Sequence, residues 1–178
     1  VRAGRGAAHG AALFPVLKTP VVLELTQRVD GGEVTATLTL PLDKRIRSRQ
    51  RVTLDDGTEA GVFLERGQVL HDGDLLSAVD GTGIVRVRAA AEPVSEVRCE
   101  DPLLLARACY HLGNRHMPLQ IGDRMLRYQH DHVLDDMLRG LGLEPVIVEV
   151  PFEPEPGAYG GSAQGHAHHG HTHDDPPR

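Results

Sequence analysis

Apolar and polar residues alternate along residues 34–40, Val-Thr-Ala-Thr-Leu-Thr-Leu, with the period of two that a half-buried strand requires. Short apolar stretches at 52–54 and 62–64 flank Asp56-Gly57, which predicts a hairpin because glycine reaches the backbone angles of a tight turn without a Cβ clash. A second turn at Asp80-Gly81-Thr82-Gly83 leads into Ile84-Val85-Arg86-Val87-Arg88, where apolar and basic positions again largely alternate. The pattern changes at Glu92-Pro93. Residues 94–99 read as a strand, and Asp101-Pro102 as a helix start, since the carboxylate caps free N–H groups and proline lacks a donor where none is needed. That helix carries Leu103, Leu104, Ala106, Ala108 and His111 towards Gly113. Residues 119–121 and 125–128 read as short strands joined through Gly122-Asp123. Asp131 then caps a second helix with Val133, Leu134, Met137, Leu138 and Leu141 at helical spacing and Gly142 past its end, before a last strand at 146–150.

The order strand, helix, strand, strand, helix, strand is that of a ferredoxin-like sandwich. The expected class is therefore α+β: a small all-β domain over 21–91, then a ferredoxin-like βαββαβ domain over 92–154. Residues 1–20 are rich in Ala and Gly and read as a disordered extension; His9, Gly10 and Pro15 interrupt the apolar run that the alternative, a targeting segment, would need. From 155 to 178, Pro, Gly and His replace the aliphatic residues, which predicts a disordered His-rich tail. Domains of about 60–70 residues bury a marginal fraction of their surface, so dimerisation would help.

The 178-residue chain is 40% apolar and 25% charged, with a formal charge of -6, which argues against a general nucleic-acid binder. No apolar stretch approaches the roughly 18 residues of a membrane-spanning helix. Cys99 and Cys109 are too few for a disulfide scaffold and suit a reducing compartment; each sits in an apolar stretch and reads as a small buried hydrophobe. With aromatics at 3% and no Trp, the core must be aliphatic.

Histidine changes the picture. Five of the eleven fall within 166–173, as His166, His168, His169, His171 and His173. Neutral imidazoles on a flexible strip can wrap nickel, zinc or copper without a preformed cage, which suits capture and hand-over better than catalysis. Their interspersed spacing, followed by Asp-Asp-Pro-Pro-Arg, is unlike a purification tag. His130 and His132 flank Asp131 at a strand-to-helix junction, where residues two apart on an extended segment point the same way and can grip one ion. The alternative is two solvated histidines beside a helix cap. His116 follows the first helix in a turn; it is either structural or, in a twofold dimer, half of a bis-imidazole site. His111 lies where a helix C-terminal dipole favours it, and His9 and His71 fall in loops with no assigned role. No zinc-protease, serine-hydrolase or phosphate-loop motif is present, so no catalysis is expected.

Arg45, Arg47, Arg49 and Arg51 alternate with Ile46, Ser48 and Gln50, which on a strand would place four guanidinium groups on one face. Such a face is either simply solvated or docks an acidic protein surface, since Arg pairs bidentately with carboxylates.

Two stretches, Cys109-Tyr-His-Leu-Gly-Asn-Arg-His116-Met-Pro-Leu-Gln-Ile121 and Leu126-Arg-Tyr-Gln-His130-Asp-His132-Val-Leu-Asp-Asp-Met-Leu138, resemble the UreE urease accessory proteins, a family of nickel metallochaperones. Weaker resemblance runs through 23–28, Leu40-Pro41 and 49–57. It implies a cytoplasmic homodimer joined through the C-terminal domains, with an N-terminal domain like the peptide-binding domains of heat-shock chaperones. By the same resemblance His116 is the interfacial nickel ligand paired with its twin, His130 and His132 form a peripheral site for copper or extra nickel, and the tail is an accessory reservoir. The expected partners are a UreG-type GTPase and the urease apoprotein with its other accessory proteins; no nucleic acid and no membrane. Copper binds imidazole more tightly than nickel, so ligand affinity alone cannot select Ni2+, and Zn2+ or Cu2+ would substitute in vitro. Ligation needs neutral imidazole, so metal should be released as pH falls through about 6.5. Three rival readings are a passive metal buffer working through the tail, a peptide-binding chaperone of urease maturation, and a small metalloenzyme, the last disfavoured because no acid, base or nucleophile stands out near the histidines.

Overall fold

The computed structural model describes residues 23–156, Asp80 and Thr82 excepted. The N-terminal region is a six-stranded sheet with one short helix. Its strands are β1 (Leu23–Val29), β2 (Val34–Leu40), β3 (Arg49–Thr53), β4 (Glu59–Phe63), β5 (Leu75–Ala78) and β6 (Ile84–Ala89), in spatial order β2-β6-β5-β1-β4-β3. The predicted hairpin is β3 against β4, antiparallel, with Gly57 at φ +89° and the Asp56 carboxylate accepting from the Thr58 N–H. Two pairings are parallel, β1 with β4 and β2 with β6. Alternation specifies which face of each strand is buried, and the buried Leu25, Leu38, Val52, Val62, Leu76, Val85 and Val87 build one aliphatic core.

The sheet curls until its edges meet at the β3–β4 turn. There the Asp55 N–H donates to Thr37 O of β2, while its carboxylate accepts from Thr37 Oγ1 at 2.5 Å, Thr39 Oγ1 at 2.8 Å and Thr39 N at 3.1 Å. The Thr37 hydroxyl first, then Thr39, hold the Asp55 carboxyl below its ordinary value. A lowered folded-state pKa means that this stabilisation is full above the unfolded value of about 3.9 and fades as pH drops through the folded one. Asp55→Asn is thus expected to lower the urea midpoint at pH 7, with the gap to the parent closing below about pH 4. A gap that stays constant with pH would show that the carboxylate charge contributes nothing.

The helix α1 (Leu42–Arg45) corrects one expectation. Pro41 starts it by accepting from the Lys44 and Arg45 N–H groups, while the Leu42 N–H donates to the buried Glu92 carboxylate at 2.8 Å. The chain therefore turns where an unbroken strand of alternating arginines was expected. Only Arg49 and Arg51 share an exposed strand face. Arg47 pairs with Asp43 one helical turn away, and Arg45 points inward and is fully buried.

The C-terminal unit follows the predicted order: β7 (Ala91–Arg98), α2 (Pro102–Gly113), β8 (Gln120–Gly122), β9 (Met125–Gln129), α3 (His132–Gly140) and β10 (Val146–Pro151). Its sheet is antiparallel throughout, in order β10-β7-β9-β8, the ferredoxin-like arrangement. Val97, Leu126 and Tyr128 face the helices and pack on Ala108, Leu112, Leu134 and Leu138. A third cluster, Leu42, Val94 and Phe152, joins α1 to the opposite side of the sheet. Beside it Arg45 donates to Leu40 O and Leu70 O at 3.2 Å each, and to Phe152 O and the Glu153 carboxylate. One side chain thus ties both halves of the molecule together. Among the described residues no helix is long and apolar enough to cross a membrane.

Candidate metal site

His116 owes its position to the way α2 ends. Asp101 opens that helix, accepting from the Leu103 and Leu104 N–H groups, and Pro102 follows, as the sequence indicated. Ala108 and Leu112 are buried, while Leu103 and Tyr110 stand exposed on the outer face. At the far end Met117 N–H reaches back to Leu112 O at 3.3 Å, and His116 N–H to Gly113 O at 2.9 Å. This closure needs a left-handed residue, a place usually taken by glycine. Here it is His116, at φ +58°. Arg115 Nη1 covers His111 O at 2.8 Å, and Met117 turns back onto the core. His116 is left exposed, and its ring makes no hydrogen bond among the described residues. His111, half-buried, meets the Tyr110 ring edge-on at 5.4 Å between centroids.

His130 and His132 sit at the other helix start, as expected. Asp131 is the N-cap of α3, extended at φ -148° and ψ 118°, accepting from Val133 N at 2.8 Å and Leu134 N at 3.2 Å. The cap carboxylate is therefore occupied with the helix. His132 is the first helical residue and exposed. His130 reaches inward: its Nδ1 lies 3.1 Å from Ser95 Oγ and 3.5 Å from Asp135 Oδ2. Asp135, on the inner side of α3, also accepts from Ser95 Oγ at 2.7 Å and from Tyr128 Oη at 2.6 Å. Burial first, then the bond to Asp135, pushes the Tyr128 phenol well above its ordinary value, so it remains a donor.

Sequence reading missed this polar cluster beneath His130. Its signal was available: Asp135 is an acid one position from the apolar Leu134 and three from Leu138, on a face that helical periodicity assigns to the core. It also missed His71, whose Nδ1 stands 3.1 Å from Glu153 Oε2 beside the Arg45 tie.

The structure separates the remaining expected residues. Arg45 belongs to the junction between the two halves and offers no surface to a partner. Arg49 and Arg51 lie exposed on β3, an edge strand, where Arg51 and Lys44 line a cleft of about 400 Å³. Cys99 and Cys109 are free thiols, both half-buried, with burial raising the Cys109 pKa. His166, His168, His169, His171 and His173 lie outside the described residues. Among the described residues no three His, Cys, Asp or Glu side chains converge on one point that could hold an ion.

Residues 10–90 match the family model described as "UreE urease accessory protein, N-terminal domain", and residues 92–176 the one described as its C-terminal domain. The chain belongs to the UreE urease accessory protein family. The N-terminal match begins inside the segment read as an extension, and the C-terminal one takes in the His-rich tail. The chain is 60% identical over 153 residues to the "Urease accessory protein UreE" of Citrobacter koseri, covering 85% of this chain and 100% of the relative. It is 65% identical over 141 residues to the protein of that name from Alkalilimnicola ehrlichii, covering 79% and 86%. The protein of that name from Pseudomonas putida strain W619 is 63% identical over 139 residues, covering 78% and 86%. A UreE accessory protein fits a role in urease maturation.

Proposed function

We propose that the protein is a nickel metallochaperone that delivers Ni2+ for assembly of the urease active site, working in the cytoplasm with a UreG-type GTPase. The observation that carries the reading is His116, exposed at the end of α2 within Gly113-Asn114-Arg115-His116, in a chain matching the UreE family along most of its length. A lone imidazole cannot hold an ion. Its ligand set is completed by the His116 of a second copy and by tail histidines. Two features support this. Leu103 and Tyr110, exposed on one face of α2, suit pairing of C-terminal domains. The described residues end beside the strand that follows His116, with Glu155 N–H donating to Leu119 O at 2.7 Å. From Pro156 to His166 is a step of ten residues. Such a step spans at most about 36 Å, which leaves the tail within reach of His116.

Few, solvent-open imidazoles bind an ion tightly enough to carry it and loosely enough to surrender it, whereas a closed cage would retain it. His130 and His132 form the peripheral site, residues 21–91 and 92–154 are the two working domains, and exposed Arg47, Arg49 and Arg51 offer an edge to acidic surfaces of urease or its accessory proteins. The test is nickel titration of the full-length, 158–178-deleted and His116→Ala proteins, each then assayed for activation of apo-urease with the GTPase present. Tail deletion should reduce the nickel count per dimer and leave activation standing. His116→Ala should abolish activation while the tail and peripheral histidines still bind nickel. Activation that vanishes with the tail and survives His116→Ala would favour a passive buffer instead.

A further inference from the structure

We propose that Asp135, together with Ser95, is a positioning group for His130: the two hold its imidazole in the tautomer that carries the proton on Nδ1 and leaves the Nε2 lone pair free for a divalent ion. The inference rests on the reading of His130 as a metal ligand.

Asp135 is 2% exposed, and its nearest cationic group is Arg139 Nη2 at 3.9 Å from Oδ2. A carboxylate removed from water must be satisfied by donors. Oδ1 takes two, Ser95 Oγ at 2.7 Å from β7 and Tyr128 Oη at 2.6 Å from β9. A serine hydroxyl has one proton, and Ser95 spends it on Asp135. Turning that hydroxyl round would set its lone pairs against the carboxylate at 2.7 Å. Towards His130 Nδ1, 3.1 Å away, the Ser95 oxygen is therefore an acceptor, and so is Oδ2 at 3.5 Å. Nδ1 faces two acceptors and must bear the hydrogen. Neutral imidazole carries only one, so Nε2 is bare.

A ring that donates one N–H to a carboxylate is held in orientation and made a more basic ligand through its other nitrogen. His132, two residues on, has no such support: its ring makes no hydrogen bond among the described residues. The peripheral pair is thus unequal, with His130 pre-set and His132 free to follow the ion.

The experiment reads the ring nitrogens of His130 by long-range 15N–1H correlation in the full-length protein, first without metal and then during titration with diamagnetic Zn2+. The wild type should show the Nδ1–H tautomer. In Asp135→Asn the amide oxygen stays under the two hydroxyl donors and the NH2 turns towards Nδ1, which drives the proton to Nε2. Zn2+ should then bind at His130 about 10–100-fold more weakly. Tyr128→Phe removes a donor from the same carboxylate; it should lower stability while leaving the tautomer and Zn2+ binding intact. An Nε2–H tautomer in the metal-free wild type, or an unchanged tautomer in Asp135→Asn, overturns the proposal, and the wild-type spectrum decides even if that variant fails to fold. A correct tautomer with no Zn2+-dependent shift at His130 would instead sink the ligand reading on which it rests.

Discussion

Arg45→Ala is expected to cost about 3 kcal/mol of stability, the lower end of what breaking a buried ion pair costs. The arginine is fully buried, whereas Glu153 is 29% exposed on its side chain and keeps the Asp72 N–H and His71 as neighbours. The carboxylate therefore recovers part of its solvation when the guanidinium leaves. The carbonyls do not. Leu40 O, Leu70 O and Phe152 O come from three separate parts of the chain, and each would lose the Arg45 donor inside a void the size of the deleted side chain. Arg45→Lys should also be destabilising, because a point ammonium cannot serve acceptors spread round a planar fork. Arg47→Ala supplies the control: exposed and, among the described residues, paired only with Asp43 across one helical turn, it should shift stability by no more than about 0.5 kcal/mol. Urea unfolding monitored by circular dichroism separates the three. Since Arg45 bonds to both halves, its loss should also expose the Phe152–Glu153 segment to proteolysis. An Arg45→Ala protein within 1 kcal/mol of the parent would overturn the account.

Arg45 also shows where pattern reading reaches its limit. The alternation from Arg45 to Arg51 fits a strand, and Arg49 and Arg51 do lie on one. What the pattern could not reveal is that carbonyls at residues 40, 70 and 152 converge on the first arginine, a fact set by folding and not by neighbours in sequence. The parallel pairings of β1 with β4 and β2 with β6 were hidden for the same reason, since a period of two identifies the buried face and is silent about the partner. The C-terminal half was far more legible. Asp101 and Asp131 are caps whose chemistry is local, and Gly142, at φ +89°, closes α3 with its N–H on Arg139 O, as its type and position indicated. The site divides along the same line. The places of His116, His130 and His132 relative to their helices could be read from capping signals. The cluster behind His130 could not, because it assembles from β7, β9 and α3.

The left-handed backbone of His116 yields the most discriminating variant of the metal reading. A non-glycine residue at φ +58° is strained by roughly 1 kcal/mol, and local strain that persists at one residue is more intelligible where its side chain has work to do. His116→Gly relieves it. The glycine variant should therefore be more stable than the parent by about 1 kcal/mol, offset in part by the greater freedom of glycine in the unfolded chain. His116→Ala keeps a Cβ in the same conformation and should sit close to the parent. On the proposed reading both variants lose the interfacial imidazole, so nickel held between two copies should fall to the level of the tail and peripheral ligands, and urease activation should collapse in both. A structural histidine predicts something else: if the ring contributed packing, glycine and alanine would each destabilise and their nickel stoichiometry would match the parent. Unfolding midpoints measured beside nickel equilibrium dialysis thus separate the alternatives with one pair of proteins. A stabilised glycine variant that binds and delivers nickel normally would leave His116 as an unfavourable helix ending and nothing more.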